Sequence, residues 1–211
     1  MPETPPPSAP AKTRRTRLSA ADRRASIVAA ATEVFAESGY QRGKVSQVAA
    51  RIGVTEPVVF HNFGSKATLY AAVVEHAAQR MGEMLTAVTA SGGPARKTLT
   101  QLLGPGHLDE LHASGSLGVI FADAMTLTAE PDVEQAVSRG MQQLADALAE
   151  LVAQGQREGD VRTDIAPDAA AWWLLSLMAS HRFRSTVMPD RELLEAQLGS
   201  LTLRLLTEPD A

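Results

Sequence analysis

The chain has no cysteine among its 211 residues, which excludes disulfide bonds and thiolate metal sites. It also has no apolar run long enough to span a bilayer, and it begins with polar, proline-rich sequence instead of the apolar core of a signal peptide. We therefore expect a soluble cytoplasmic protein. With 45% hydrophobic residues, the chain can bury a substantial core, in one domain or in two small ones.

The common signatures of catalytic and metal sites are missing as well. The sequence contains no HExxH, no GxSxG, no phosphate-binding loop and no dinucleotide fingerprint. Asp109 and His112 are three residues apart, but two ligands do not make a zinc site. We predict no enzymatic activity, no cofactor and no metal. The alternative is an enzyme whose catalytic groups are assembled from distant segments of the chain.

Helical periodicity runs through the chain, and the alternation typical of strands is not sustained anywhere. The pattern predicts an all-α fold of about nine helices. Residues 1–17 combine proline with basic residues and are predicted to be a disordered basic tail. Residues 18–64 are expected to form a three-helix domain, and residues 65–211 a larger helical domain.

Several helix ends can be predicted from local chemistry. Ser19 and Asp22 form the start of the first helix in the manner of a capping box, and Gly39 is a candidate left-handed cap at its end. Ser65 is expected to cap a long fourth helix. Pro131 opens another long helix that ends near Gly159.

The most informative segment is VSQVAARIGVTEPVVFHNFGSK, residues 45–66. At helical spacing it forms two short amphipathic helices joined at Gly53, and the small Ala49 lets them cross closely. Val54 is expected to fill the gap between the helices. Thr55 can accept hydrogen bonds from the unpaired N–H groups that open the second helix. This layout indicates a helix-turn-helix, whose second helix enters the major groove of DNA.

The charge of the chain is divided unevenly along its length. Residues 1–66 hold ten Lys and Arg against five Asp and Glu, a net of +5, whereas residues 67–211 hold ten against nineteen, a net of −9. A basic segment that carries a helix-turn-helix favours phosphate binding. The alternative is that the basic excess reflects only the cluster of residues 12–17.

Spaced elements between Arg23 and Val74 match a known family. They are Ile27, Ala30, Ala31 and Phe35; Gly39 and Tyr40; Val48, Ala49, Gly53, Val54 and Thr55; and Phe60, His61, Asn62, Phe63, Ser65 and Lys66. The segment resembles the amino-terminal DNA-binding domain of the TetR family of bacterial transcriptional repressors. The resemblance implies a homodimer that binds a palindromic operator in double-stranded DNA, represses a nearby gene and is released by a small molecule. It also implies a dimer interface formed by the last two long helices.

The resemblance implies DNA contacts residue by residue. Lys66 matches a lysine that contacts phosphate, and His61 and Asn62 stand where the family often has Tyr and His. Glu56 departs from the family pattern, because it stands where the family often has a basic residue. Its carboxylate can accept from cytosine N4, but otherwise it repels the DNA backbone. The expected DNA-contacting set is Lys44, Thr55, Glu56, Val58, His61, Asn62 and Lys66. For His61 and Asn62 the alternative is solvated surface.

Helices rich in methionine and aromatic residues are expected to line an adaptable apolar cavity for a largely apolar effector. The expected lining is Met81, Met84, Leu85, Phe121, Met125, Met141 and Trp172. The alternative for each of these residues is ordinary core or dimer interface. For the whole chain, the alternative is an all-α ligand-binding or enzymatic protein in which the helix-turn-helix is only structural. A DNA binder without an effector, or an activator, is also compatible with the sequence.

Overall fold

This computed structural model describes residues 19–90, 93–127 and 129–207, and these ranges contain eleven α-helices joined by turns and loops. No strand occurs in those ranges, so the predicted all-α class is confirmed. The predicted basic tail, residues 1–17, lies outside the described residues. The helices are α1 (Ala20–Arg42), α2 (Val45–Arg51), α3 (Glu56–Phe63), α4 (Lys66–Ala90), α5 (Ala95–Leu102), α6 (Pro105–His112), α7 (Leu117–Ala124), α8 (Pro131–Glu158), α9 (Pro167–Ala179), α10 (His181–Val187) and α11 (Arg191–Thr207).

Most of the predicted helix ends are found where local chemistry placed them. The Ser19 hydroxyl accepts from the backbone N–H of Asp22 at 3.0 Å, and it donates to the Asp22 carboxylate at 2.6 Å. The Ser65 hydroxyl accepts from the backbone N–H of Thr68 at 3.0 Å. Gly159 ends α8 in the left-handed conformation, with φ 81°. These contacts satisfy backbone groups that a helix leaves unpaired at its ends.

The end of α1 differs from the prediction. Gly39 has φ 72° and ψ 170°, which is not the left-handed helical cap that the sequence suggested, and the chain bends there and continues to Arg42. The turn closes where the backbone N–H of Gly43 donates to the carbonyl of Gly39 at 3.0 Å. A glycine tolerates this positive φ because it has no Cβ.

Two short helices raise the number in the described residues from about nine to eleven. The first is α6, whose eight residues follow the glycine at position 104 and begin with Pro105. The second, α10, has the sequence HRFRSTV, which presents no apolar stripe. Instead, the buried guanidinium of Arg184 donates to both oxygens of the buried Glu195 carboxylate on α11, at 2.8 and 3.0 Å. A buried ion pair is compatible with a fold when it is paired and hydrogen-bonded in this way.

Two hydrophobic clusters form the core. The first joins α1, α2 and α3 to α4, α7 and the first half of α8. The second joins the later part of α8 to α5, α9 and α11. We call residues 19–64 the head and the rest of the described chain the body. The first cluster contains residues of both the head and the body. The helix α4, which belongs to the body, therefore also packs against the helices of the head. In the described ranges, no helix combines the length and the apolarity needed to cross a membrane.

Candidate nucleic-acid interface

The turn between α2 and α3 has the geometry that the sequence predicted. Gly53 has φ 66°, and the backbone N–H of Val54 donates to the carbonyl of Ala49 at 3.0 Å. Ala49 is 2% exposed, and Val54 is half-buried against the first core cluster. A small residue at the crossing and a glycine in the turn allow the two short helices to pack closely.

One face of α3 is buried and the opposite face is open. Val59 and Phe63 are 1% and 4% exposed. Glu56, Phe60 and His61 are exposed, as is Pro57, and Val58 is half-buried. The helix therefore presents about two turns of side chains to the outside, as a recognition helix must in order to enter a major groove.

Thr55 is the residue before α3, but its hydroxyl forms no capping hydrogen bond, contrary to the prediction. A capping side chain accepts from the second or third N–H of the helix. The second position is Pro57, which has no N–H, and the third N–H, that of Val58, donates to the Thr55 carbonyl at 3.0 Å. The Thr55 hydroxyl is exposed at the head of α3.

The side chain of Asn62 is turned toward its own helix. Its Nδ2 donates to the carbonyl of Val58 at 2.7 Å, and the residue is half-buried. Arg24, on α1, donates to the carbonyl of Asn62 at 2.6 Å, and its guanidinium lies 4.0 Å from the ring centroid of Phe63. A cation at the C-terminal end of a helix is favourable for the helix dipole. Arg24 thus fixes the end of α3, a role that the sequence analysis missed.

Lys66 points back into the head. Its ammonium lies 4.6 Å from the ring centroid of Tyr40 and donates to the carbonyl of Gln41 at 3.4 Å. Partial burial lowers the pKa of Lys66, and the carboxylate of Asp123 opposes that change. To contact a phosphate, the ammonium would have to leave the Tyr40 ring.

Lys44 is exposed immediately before α2. Its backbone N–H donates to the side-chain oxygen of Gln47 at 2.9 Å. This contact supplies half of a capping box in place of the hydroxyl cap that the sequence lacks. Lys44 therefore stands at the start of α2, where the loop from α1 enters the helix-turn-helix.

Ion pairs on the outside of the head hold α2 against α1. Arg51 lies 3.1 Å from carboxylate oxygens of both Glu33 and Glu37. The hydrogen bond that Arg51 donates to Glu37, followed by the charges of both carboxylates, raises the pKa of Arg51. The sequence analysis missed these ion pairs. The four-residue spacing of the two glutamates could have indicated them, because residues four apart share a helix face.

The body contacts the head through the carboxylate of Asp123, on α7. One oxygen accepts from the backbone N–H of Tyr40 at 2.6 Å and from the hydroxyl of Tyr70 at 2.9 Å. The Tyr40 hydroxyl donates to Glu130 at 3.1 Å. Burial, followed by the hydrogen bond and charge of Glu130, raises the pKa of Tyr40 to about 12. These contacts couple the bend in α1 to α7.

A cavity of about 500 Å³ lies in the body between α4, α5, α6, α8 and α9. Three of the residues expected to line a pocket do so, Met81, Met84 and Leu85. The structure places the other four elsewhere. Phe121 and Met141 pack in or against the first core cluster, and Met125 and Trp172 are each 45% exposed. Helical periodicity identifies the face of a helix that is buried on folding, but it does not distinguish a cavity wall from packed core.

Comparison with known proteins agrees with this geometry. Residues 27–73 match the family model described as bacterial regulatory proteins, tetR family. The HTH-type transcriptional activator FasR of Mycolicibacterium smegmatis is 40% identical over 62 residues, 29% of this chain and 28% of FasR. The match thus spans less than a third of that relative. The HTH-type transcriptional repressor Rv1474c of Mycobacterium tuberculosis is 26% identical over 154 residues, 73% of this chain and 77% of the repressor.

Solved structures share the fold over most of the chain. NemR of E. coli, in its reduced form, has a TM-score of 0.72 at 16% identity and covers 89% of this chain and 100% of its own. A transcriptional regulator of Saccharomonospora viridis in complex with choline has a TM-score of 0.71 at 18% identity, and the match covers 90% of this chain and 100% of the regulator. FadR of Bacillus subtilis in complex with stearoyl-CoA has a TM-score of 0.62 at 18% identity, and the match covers 89% of this chain and 99% of FadR. The helix-turn-helix segment thus matches the TetR family of bacterial regulatory proteins in sequence, and the described chain has the fold of these solved structures.

Proposed function

We propose that this chain is a cytoplasmic transcriptional regulator and not an enzyme: a homodimer that represses a nearby operon from a palindromic operator until a small, largely apolar effector releases it. The observation that supports this most is the exposed outer face of α3. That helix belongs to a segment with a net charge of +5, attached to a body segment with a net charge of −9. DNA attracts the first segment and repels the second.

In this proposal α3 reads base edges and its surroundings bind phosphates. Glu56, Val58 and His61 stand on the side of α3 that is open or half-open to solvent. The exposed Thr55 hydroxyl and the ammonium group of Lys44 are suited to backbone oxygens. Asn62 keeps its side-chain oxygen for such a contact, since its nitrogen already donates within α3. Contacts to phosphate position a protein, whereas contacts to base edges specify a sequence.

The apolar surface of α9, α10 and α11 supports the homodimer. Within the described residues, most of the large apolar side chains that remain exposed are on these three helices, among them Trp172, Trp173, Phe183 and Leu201, at 45%, 51%, 68% and 54%. An exposed apolar surface of this kind usually marks an interaction site. A twofold dimer would place two copies of α3 in successive major grooves, about 34–36 Å apart.

The path of α4 supports release by an effector. Lys66, its first residue, lies beside the head, and Met81, Met84 and Leu85 line the cavity in the body. A ligand in that cavity contacts the helix that also packs under the head. Binding would shift the dimer toward a conformation in which the spacing of the heads no longer fits the operator. The size of this shift is set by how much more tightly the ligand binds that conformation than the DNA-binding one.

The test is selection of bound sequences from a random DNA pool, followed by titration of the selected site with the parent protein and two variants. His61→Ala should weaken binding to the selected site. Lys97→Ala, which removes an exposed cation from α5 in the body, is the matched control and should leave affinity unchanged. Binding that depends on salt but not on sequence would contradict specific repression. Failure of the parent protein to bind any DNA from the pool would favour a helix-turn-helix with only a structural role.

A further inference from the structure

The wall of the cavity between α4 and α9 is mostly apolar. Ten of its fourteen lining side chains are Leu, Met or Val, and three of those are methionines, which adapt to irregular ligands. A volume of about 500 Å³ is within the range that accommodates a drug-sized molecule. The greater part of any occupant must therefore be apolar.

Four polar side chains interrupt this wall, and two of them stand together on α6. His107 and Glu110 are three residues apart and share the helix face that also presents Leu111 to the cavity. Glu110 is the only Asp, Glu, Lys or Arg among the lining residues. It is exposed, so its carboxylate stands where the cavity meets solvent.

The negative charge of Glu110 is not compensated by the residues around it. The adjacent Asp109 contacts both Arg191 and, at 3.1 Å, His181. Glu110 forms no ion pair with any residue in the described ranges. It also belongs to the last turn of α6, where the backbone carbonyls add negative potential.

We propose that this cavity selects a ligand with an apolar body and one positively charged end, and that the Glu110 carboxylate holds the charged end at the mouth. The inference rests on the proposed function only in taking the cavity as the effector site. An anionic ligand of the same size would bring its charge to Glu110 with no lysine or arginine in the wall to offset the repulsion. A cation is attracted there instead, because its charge is opposite to that of the carboxylate.

Three ligands with the same decyl chain test the proposal on the full-length protein: decyltrimethylammonium, decanol and decanoate, each below its micellar concentration. Calorimetric titration gives the affinities, and the shift of Tm is the second measurement, since a ligand that binds the folded state raises Tm. Glu110→Gln removes the charge and keeps the shape. Glu134→Gln, an exposed glutamate on α8 outside the cavity, is the matched control. Met84→Trp narrows the cavity from an exposed position, so the variant should fold.

We expect the parent protein to bind the cation about tenfold more tightly than decanoate. Glu110→Gln should weaken cation binding roughly three- to fivefold, as for a partly exposed ion pair, and leave decanol unchanged. Met84→Trp should weaken all three ligands, and Glu134→Gln none. Equal or tighter binding of decanoate, an unaltered preference in Glu110→Gln, or no binding of any ligand would overturn the proposal. Operator binding measured on the same preparations separates the two claims. Sequence-specific binding with the wrong ligand preference refutes only this inference, whereas the absence of any preferred DNA sequence refutes the proposed function.

Discussion

The carboxylate of Asp123 accepts a hydrogen bond from the backbone N–H of Tyr40 at 2.6 Å, and this contact joins the body to the head at the bend in α1. The same oxygen accepts from the Tyr70 hydroxyl, 2.9 Å away. Tyr70 is completely buried, and its ring lies 5.0 Å from that of Tyr40. Any movement of α7 against α4 must therefore act on the end of α1.

Replacing this carboxylate should loosen the head. We expect Asp123→Ala to lower the free energy of unfolding by about 1.5–3 kcal/mol, because it removes hydrogen bonds to a charged group and leaves a buried hydroxyl with one acceptor fewer. Hydrogen exchange should increase at residues 39–43 before it increases elsewhere. Asp132→Ala is the control, since Asp132 accepts from Thr68 at an exposed position. Equal losses in the two variants would show that Asp123 has no special part in the junction.

Gly43 should not tolerate a side chain. A Cβ there would lie 2.5 Å from a ring carbon of Phe35 and 2.9 Å from the carbonyl oxygen of Gly39. Phe35 is fully buried, so its ring cannot move aside cheaply. We expect Gly43→Ala to destabilise the protein by about 1–3 kcal/mol in urea unfolding.

A second glycine provides the comparison for that experiment. Gly106 lies in α6 with open space around it, so Gly106→Ala should be neutral or slightly stabilising. If Gly43→Ala behaves like Gly106→Ala, the Phe35 ring does not pack tightly against the end of α1.

Stability should fall as the solution is acidified through the range where His112 titrates. Burial lowers the pKa of His112 below its ordinary 6.5, although a hydrogen bond with the Leu108 carbonyl partly opposes this. Between the lowered pKa and 6.5, the unfolded chain binds more protons than the folded one, so acidification favours unfolding. His112→Gln should reduce the loss of Tm between pH 7.5 and pH 5.5. A loss of Tm as large as in the parent protein would assign the pH dependence to other groups.

The apolar surface of the last helices should control association. Trp173 and Leu201 are 51% and 54% exposed. We expect Trp173→Glu with Leu201→Glu to convert a dimer into a monomer in sedimentation equilibrium, because two charges would be buried without partners. Phe60→Glu, on the exposed face of α3, is the control and should leave the dimer intact. A dimer that survives the double substitution would place the interface elsewhere.

The sequence was most informative where structure depends on neighbouring residues. The turn at Gly53, the burial of Val59 and Phe63 and the cap at Ser65 follow from local spacing. Thr55 failed as a cap because Pro57, two residues later, removes one of the N–H groups that a cap requires. The conflict between a cap at Thr55 and a proline two residues later can be recognised from the sequence alone.

Other features depend on contacts between distant residues. The conformation of Gly39 accompanies the Asp123–Tyr40 hydrogen bond, which joins residues 83 positions apart. Phe121 was expected in a pocket wall, but its ring lies where a Cβ on Gly140 would be only 3.2 Å away, in packed core. In both cases the deciding partner lies on another helix, and periodicity within one segment cannot identify it.

The central claim is that α3 reads base edges, and the most direct measurement compares the DNA sequences selected by the parent protein and by Glu56→Gln. Glu56 is exposed in the first turn of α3, so replacing the carboxylate with an amide changes hydrogen-bonding chemistry without disturbing the core. We expect the preferred base to change at one symmetric position in both half-sites, with the spacing of the half-sites retained. Identical selected sequences, or no preferred sequence with either protein, would contradict the account.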